Sequence, residues 1–260
     1  MTRGLQRAKE TQDLSTHQFG STLRGRVTAV NDGDGFRFYH TPGGRLAGWG
    51  WLRKVPTSRG DLKGQTLPIR IAGIDAPERL HFGRPAQPYS DEAMYFLQLL
   101  VLEKNVKIIP YLVDQYKRVV ARVTVRTISG RKDVGEIMVK KGMAVVYEAK
   151  TGAQYGDREQ VYRRLQDQAR NRRVGLWQNE QVVTPMEYKR QYRNQGSSKP
   201  APAAKPKSKQ TANRKPAKPK AKPAKDKPPA KPRSKAKPTP AETHAKPHLQ
   251  QLRTRIVIAQ

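Results

Sequence analysis

The chain has no cysteine among its 260 residues. Disulfides, thiolate metal cages and a cysteine nucleophile are therefore excluded, and the absence fits a reducing compartment. No run approaches the roughly 20 apolar residues that a bilayer-spanning helix needs. The first twenty residues contain Glu10 and Asp13 and no apolar stretch, so they read neither as a secretory signal nor as an acid-poor transit peptide. The five histidines show no nucleophile or ligand spacing, which gives a histidine mechanism little support. Negative charge is scarce as well: 21 acidic residues stand against 52 Lys and Arg, a net charge of +31. These absences describe a soluble, intracellular protein. The excess of cations points to a polyanionic partner, because phosphate contacts dominate nucleic-acid affinity.

Composition divides the chain into three parts. Residues 1–20 are polar and unpatterned and read as a flexible lead-in. Residues 21–193 carry the strand and helix signals. Residues 194–260 are Lys/Pro/Ala repeats such as Ala217-Lys218-Pro219-Lys220, and residues 197–260 hold 18 basic and only 2 acidic residues. Such a tail cannot bury a core and reads as a disordered basic arm for sequence-independent phosphate binding. The remainder, with 34 basic and 19 acidic residues, is basic on its own account.

Within 21–193, β-formers alternate with Gly and Asp turns. Leu23, Val27 and Val30 lead into the Asn31–Gly35 turn and then Phe36–Tyr39, a hairpin signal. Residues 41–65 form a Gly/Arg-rich insertion with Trp49 and Trp51, which either pack on the core or stack a base. Leu67–Ile74 is the next strand. Ser90 as N-cap and the spacing of Ala93, Phe96, Leu97, Leu100 and Val101 predict an amphipathic helix. Val106–Val113 and Val119–Val125 read as strands joined by the Asp114–Arg118 turn. Val134–Lys141 reads as a helix closed by Gly142. Asp157–Arg173 reads as another, with Val161, Leu165 and Ala169 inward. Five short strands and three helices fit an α+β domain on a small OB-like barrel.

The residues suited to chemistry fall on the turns. Asp34 closes one turn and Asp75 ends a strand, so on neighbouring strands their carboxylates can converge on one hard cation of the calcium or magnesium type. Glu78, three residues on, can take a proton from water as general base. Arg70 sits in an apolar strand, where an unpaired guanidinium is costly. It can pair with Asp75 or Glu78, or, like Arg118, present its planar fork to a phosphate. Tyr116 and Tyr147 can stack on a nucleotide or simply pack. Taken singly, each acid is more often a turn former or surface charge.

Four motifs appear in order: Asp32-Gly33-Asp34, Ile69–Glu78, Asp114–Arg118 and Gly142–Tyr147. Together they resemble the staphylococcal nuclease (thermonuclease) superfamily. The insertion, the His81–Pro88 run and the Tyr147–Gly152 run are more similar still to a fungal endonuclease group within it. The resemblance covers about residues 21–193 and implies a five-stranded OB-like barrel with three helices. It implies a calcium ion held by Asp34, Asp75 and the Ala76 carbonyl, phosphate binding by Arg70 and Arg118, water activation by Glu78, and substrate contact by Tyr147. Ala76 and Gly35 stand where bacterial members carry threonine. The fungal group usually carries an N-terminal membrane-spanning helix, and none is seen here. The expected address is a mitochondrial one by resemblance, with the nucleus as alternative.

The leading expectation is thus a monomeric calcium-dependent endonuclease acting on DNA or RNA with little sequence preference and no small-molecule cofactor. Its main rival is a non-catalytic OB-type binding module, whose mark would be loss of Arg70, Glu78 or Arg118. A scaffold driven by the Lys/Pro tail is a third reading.

Overall fold

The computed structural model describes residues 6–79, 85–148, 154–179 and 181–195. The basic tail beyond residue 195, and the His81–Arg84 and Ala149–Gly152 parts of the motifs above, lie outside the described residues.

Eight strands and four α-helices are found among them: β1 (Leu23–Val30), β2 (Gly35–His40), β3 (Leu67–Ile71), β4 (Ile74–Asp75), α1 (Ser90–Val101), β5 (Asn105–Val113), β6 (Val119–Thr127), β7 (Gly130–Asp133), α2 (Val134–Lys140), β8 (Val145–Val146), α3 (Glu159–Asn171) and α4 (Pro185–Gln195). The main sheet runs β3-β2-β1-β5-β6-β7, and a parallel pairing of β3 with β6 closes five of these strands into a barrel. The fold is therefore α+β on a five-stranded barrel, with one helix more than the sequence pattern suggests. The antiparallel neighbours explain the hairpins, and β1 bends through a bulge between Val27 and Ala29. Such a bulge adds the local twist that a small barrel requires.

The barrel interior is filled by alternate strand residues. Val27, Phe38, Leu67, Ile69, Ile71, Ile108 and Val123 are essentially inaccessible, and Leu97 and Val101 of α1 and Met138 of α2 are equally buried. Each such side chain contributes on the order of 1.5–3 kcal/mol by leaving water. The predicted Leu67–Ile74 strand is interrupted. Gly73 adopts φ +77°, and a Cβ there would lie 2.7 Å from the Tyr155 ring, so the chain turns at this glycine and restarts as β4. That turn brings Asp75 and the Ala76–Glu78 segment to the β2–β3 end of the barrel.

Two local expectations shift. Ser90 is the first helical residue of α1, and Tyr89, at φ 67°, takes the capping position. The buried face of α3 is Tyr162, Gln166 and Ala169, one residue away from the Val161 and Leu165 that the apolar pattern suggests. The cause is polar. Tyr162 donates its hydroxyl to Asp133 at 3.0 Å, Asp133 pairs with Arg122 at 2.8 Å, and the same carboxylate caps α2 through the Glu136 N–H at 3.1 Å. Burial beside Asp133 holds the Tyr162 phenol well above its usual range, so it stays a donor.

Residues 6–20, part of the segment that the sequence suggests is a flexible lead-in, contain two short 3-10 turns and lay Ala8 into the body, where its N–H donates to His40 Nδ1 at 3.0 Å. In the insertion, Trp49 packs edge-on against Tyr39 at 5.9 Å between ring centroids, whereas Trp51 is 67 % exposed. Packing accounts for the first tryptophan only.

Candidate active site

The β2–β3 end of the barrel gathers charge because the register places it there. Gly35 pairs with Arg70 across β2 and β3, and Arg70 lies beside Val120 of β6. Asp34, one residue before β2, and Asp75, at the end of β4, then flank the Arg70 side chain. The guanidinium Nε lies 3.3 Å from Asp34 Oδ2, and Nη2 lies 3.4 Å from Asp75 Oδ1. Nη2 also donates to the Ile74 carbonyl at 3.3 Å. Tyr147 covers the guanidinium face, its ring centroid 4.5 Å from the central carbon.

Burial of Arg70 works against its charge. Asp34 and then Asp75 outweigh that cost, and the guanidinium ends above its ordinary value. The buried Asp75 carboxyl is pushed up mainly by desolvation and further by Asp34, against the pull of Lys189 and Arg70. The two acids therefore feel each other as like charges through one shared cation, the electrostatic situation a divalent ion relieves.

The Asp32-Gly33-Asp34 turn is pressed against the segment after β4. A Cβ on Gly33 would fall 2.6 Å from the Ala76 Cβ, so only glycine lets Asp34 approach Asp75 and Ala76. Gly35 has an equally direct cause: a Cβ there would meet Asp32 Oδ1 at 2.7 Å and the Ile69 carbonyl at 3.3 Å. The threonine of the bacterial pattern has no room while Asp32 is oriented this way. Asp32 Oδ1 is buried with no hydrogen-bond partner. Its carboxyl is pushed up to about 6, first by burial and then by Asp34, against the pull of Arg118.

In chemistry this donor pair suits a hard cation: it offers two mutually repelling carboxylates, Asp34 and Asp75, and no sulfur or imidazole. Among the described residues no three or more His, Asp or Glu side chains form a ready cage. A calcium-type ion would complete its shell with backbone carbonyl oxygen and water, as such ions commonly do.

Glu78 is reached through Lys189 of α4. The ammonium Nζ lies 2.8 Å from Glu78 Oε1 and 3.0 Å from both carboxylate oxygens of Asp75. Asp34, Arg70, Asp75, Lys189 and Glu78 thus form one ladder of alternating charge. Lys189 is held above its ordinary value because Asp75 and Glu78 together outweigh its burial.

Arg118 stands to one side, on the β5–β6 turn. Asp114 fixes it by accepting the Arg118 N–H and the Tyr116 N–H at 2.9 Å on one oxygen and the Arg118 Nε at 2.8 Å on the other. Its guanidinium is 5.5 Å from the Tyr116 ring centroid, and Tyr116 is 70 % exposed. The electrostatic link of this turn to the cluster runs through Asp32.

The structure therefore brings Asp34, Arg70, Asp75, Ala76, Glu78 and Tyr147 together and leaves Arg118 and Tyr116 on an adjoining rim. Sequence reasoning missed Lys189, Asp114 as the holder of Arg118, Asp32 as a half-buried acid, and Gln87. The last is buried and accepts the Glu78 N–H at 2.8 Å. A turn-initiating Asp four residues before an Arg was a usable signal for Asp114.

Comparison with known proteins gives a family and several relatives. The profile of the family described as Staphylococcal nuclease homologue matches residues 68–179. The Probable endonuclease LCL3 of Clavispora lusitaniae is 55% identical over 170 residues, covering 65% of this chain and 73% of the relative. Its Candida albicans counterpart is 57% identical over 169 residues, covering 65% and 72% respectively. The counterpart in Candida tropicalis is 51% identical over 192 residues, covering 73% and 82%.

Proposed function

This chain belongs to the staphylococcal nuclease homologue family, and from that membership we propose that it is a calcium-dependent endonuclease hydrolysing phosphodiester bonds of DNA or RNA with little sequence preference. The observation that carries the proposal is the buried Arg70 bridging Asp34 and Asp75, with Glu78 two ion pairs further on through Lys189. A solvated surface cluster has no reason to bury a guanidinium and two acids together. A substrate site does.

In this reading Asp34 and Asp75, with the Ala76 carbonyl, would hold a calcium ion, whose charge would offset that building on the phosphate. Glu78 accepts the proton of the attacking water, a task for which a positioned carboxylate is worth about 10²–10⁴ in rate. Arg70 and Arg118 donate to the non-bridging phosphate oxygens as charge grows there. Arg70 is preorganised, held in place by two acids and the Tyr147 ring. The exposed Tyr116 beside Arg118 suits stacking of a base next to the scissile phosphate. The basic surface adds affinity that does not depend on sequence, and binding weakens steeply with salt.

Plasmid digestion tests the proposal with calcium, magnesium or a chelator in parallel. Nicking and linearisation with calcium, lost in chelator, is the expected pattern. Tight DNA binding without cleavage under every condition would favour the non-catalytic module instead. No described helix is long and apolar enough to cross a membrane.

A further inference from the structure

Lys189 occupies a place that the proposed chemistry needs for something else. Its ammonium has three N–H donors. It meets three carboxylate oxygens, two of Asp75 at 3.0 Å and one of Glu78 at 2.8 Å. Asp75 is almost wholly buried, with 2% of its side chain exposed; Arg70 reaches only one of its oxygens, at 3.4 Å, and Lys189 supplies the second cation, on both oxygens, that offsets its burial. A calcium ion would take oxygens at about 2.3–2.6 Å, which cannot be shared with an ammonium on the same atoms. The Glu78 oxygen that Lys189 holds is also one that would receive a proton from water.

The helix carrying this lysine is attached so as to put it there. Thr184 caps α4: its hydroxyl accepts the Glu187 N–H at 3.3 Å, and Glu187 accepts the Thr184 N–H at 2.9 Å. Gln87 donates from Nε2 to the Val183 carbonyl at 3.1 Å, and the Tyr188 hydroxyl donates to the Pro85 carbonyl. These bonds join the start of α4 to the segment that also fixes the Glu78 main chain. The Lys189 side chain as a whole remains 44% exposed.

We propose that Lys189 is the resident counter-ion of Asp75 and Glu78, that it competes with the divalent cation for them, and that its withdrawal unlocks the site. The inference rests on the calcium reading of this same site. α4 then sets the calcium affinity and keeps the acids paired while the site is idle. A polyanionic substrate, arriving as a new partner for the freed ammonium, favours the open arrangement.

Two readouts independent of cleavage test this on the full chain. Calcium binding is measured by calorimetry for the wild type, Lys189→Met and, as a control for lost charge on the same helix, Arg190→Met. The expected result is calcium binding roughly tenfold tighter for Lys189→Met, as for release of one competing ion pair, and little change for Arg190→Met. Labelling with an amine-reactive reagent, mapped by mass spectrometry, should rise several-fold at Lys189 when calcium replaces chelator. Equal or weaker calcium binding by Lys189→Met, or unchanged labelling while calcium binds, would overturn the inference and leave the calcium reading standing. Absence of calcium binding in all three proteins would overturn both.

Discussion

Glu78 and Gln87 are bonded in both directions: the Glu78 N–H donates to Gln87 Oε1 at 2.8 Å, and the Gln87 N–H donates to the Glu78 carbonyl at 2.8 Å. Gln87 is buried and spends its remaining amide group on Val183, so one side chain positions the proposed base and the start of α4 together. Gln87→Ala should leave these groups unsatisfied, at about 1–3 kcal/mol of stability. With folding secured at low temperature, kcat should fall while KM changes little. Loss in KM alone would mean that Gln87 serves the substrate surface and not the base.

The grip of Asp114 on Arg118 gives a second test. Asp114→Ala frees the guanidinium and two N–H groups of the turn. Cleavage should drop by one to two orders of magnitude, with a melting temperature lowered by a few degrees, because a mobile Arg loses the orientation that makes it useful. Arg118→Lys should not restore activity, since an ammonium cannot reproduce the fork. Full activity in either variant would remove Arg118 from the chemistry.

Gly35 and Asp32 should show coupling. Gly35→Thr introduces a Cβ that would lie 2.7 Å from Asp32 Oδ1, which should cost about 1–3 kcal/mol as overpacking. In Asp32→Ala the space opens, so adding Gly35→Thr there should cost much less. A double-mutant cycle on thermal unfolding in chelator reads the difference. Additive losses would mean that Asp32 is not what excludes the side chain.

The buried His40 predicts a pH dependence. Burial, and then Arg7, lower its pKa from 6.5 to about 4, and its Nδ1 accepts the Ala8 N–H. A depressed folded value favours the neutral ring, so its stabilising contribution is complete above pH 6.5 and is lost as pH falls through about 4. Asp32 has the opposite sign. Its carboxyl is raised from 3.8 to about 6, so its contribution is present at low pH and is lost as pH rises through that interval. Comparing His40→Asn with the wild type therefore isolates the histidine. Unfolding midpoints in chelator should converge as pH is lowered from about 7 to about 4, and parallel curves would contradict the assignment.

Much of this was legible because local rules and tertiary packing agree. The apolar run Leu67–Ile74 is a strand of the barrel as far as Ile71, and the spacing of Ala93, Phe96, Leu97, Leu100 and Val101 gives the buried face of α1. Asp34 and Asp75 meet because short turns carry both to the same strand ends, and turn chemistry is readable. Lys189 was not legible for a physical reason: its carboxylate partner Asp75 lies 114 residues away, and nothing in a chain with 52 basic residues marks that one. Helix α4 lacks a broad apolar face and is held by capping and by bonds to the Pro85–Gln87 segment. The inward face of α3 differs by one residue from the apolar pattern because Tyr162 is chosen by its bond to Asp133, which hydrophobic spacing does not register.

The role of Glu78 is the claim on which the proposed chemistry stands, and single-turnover cleavage of a defined oligonucleotide in saturating calcium reaches it most directly. Glu78→Gln keeps the shape of the side chain and removes the base, so the rate should fall by about 10²–10⁴ while oligonucleotide affinity stays within a few-fold. Equal single-turnover rates for Glu78→Gln and the wild type would contradict the assignment of Glu78 as the group that takes the proton from water.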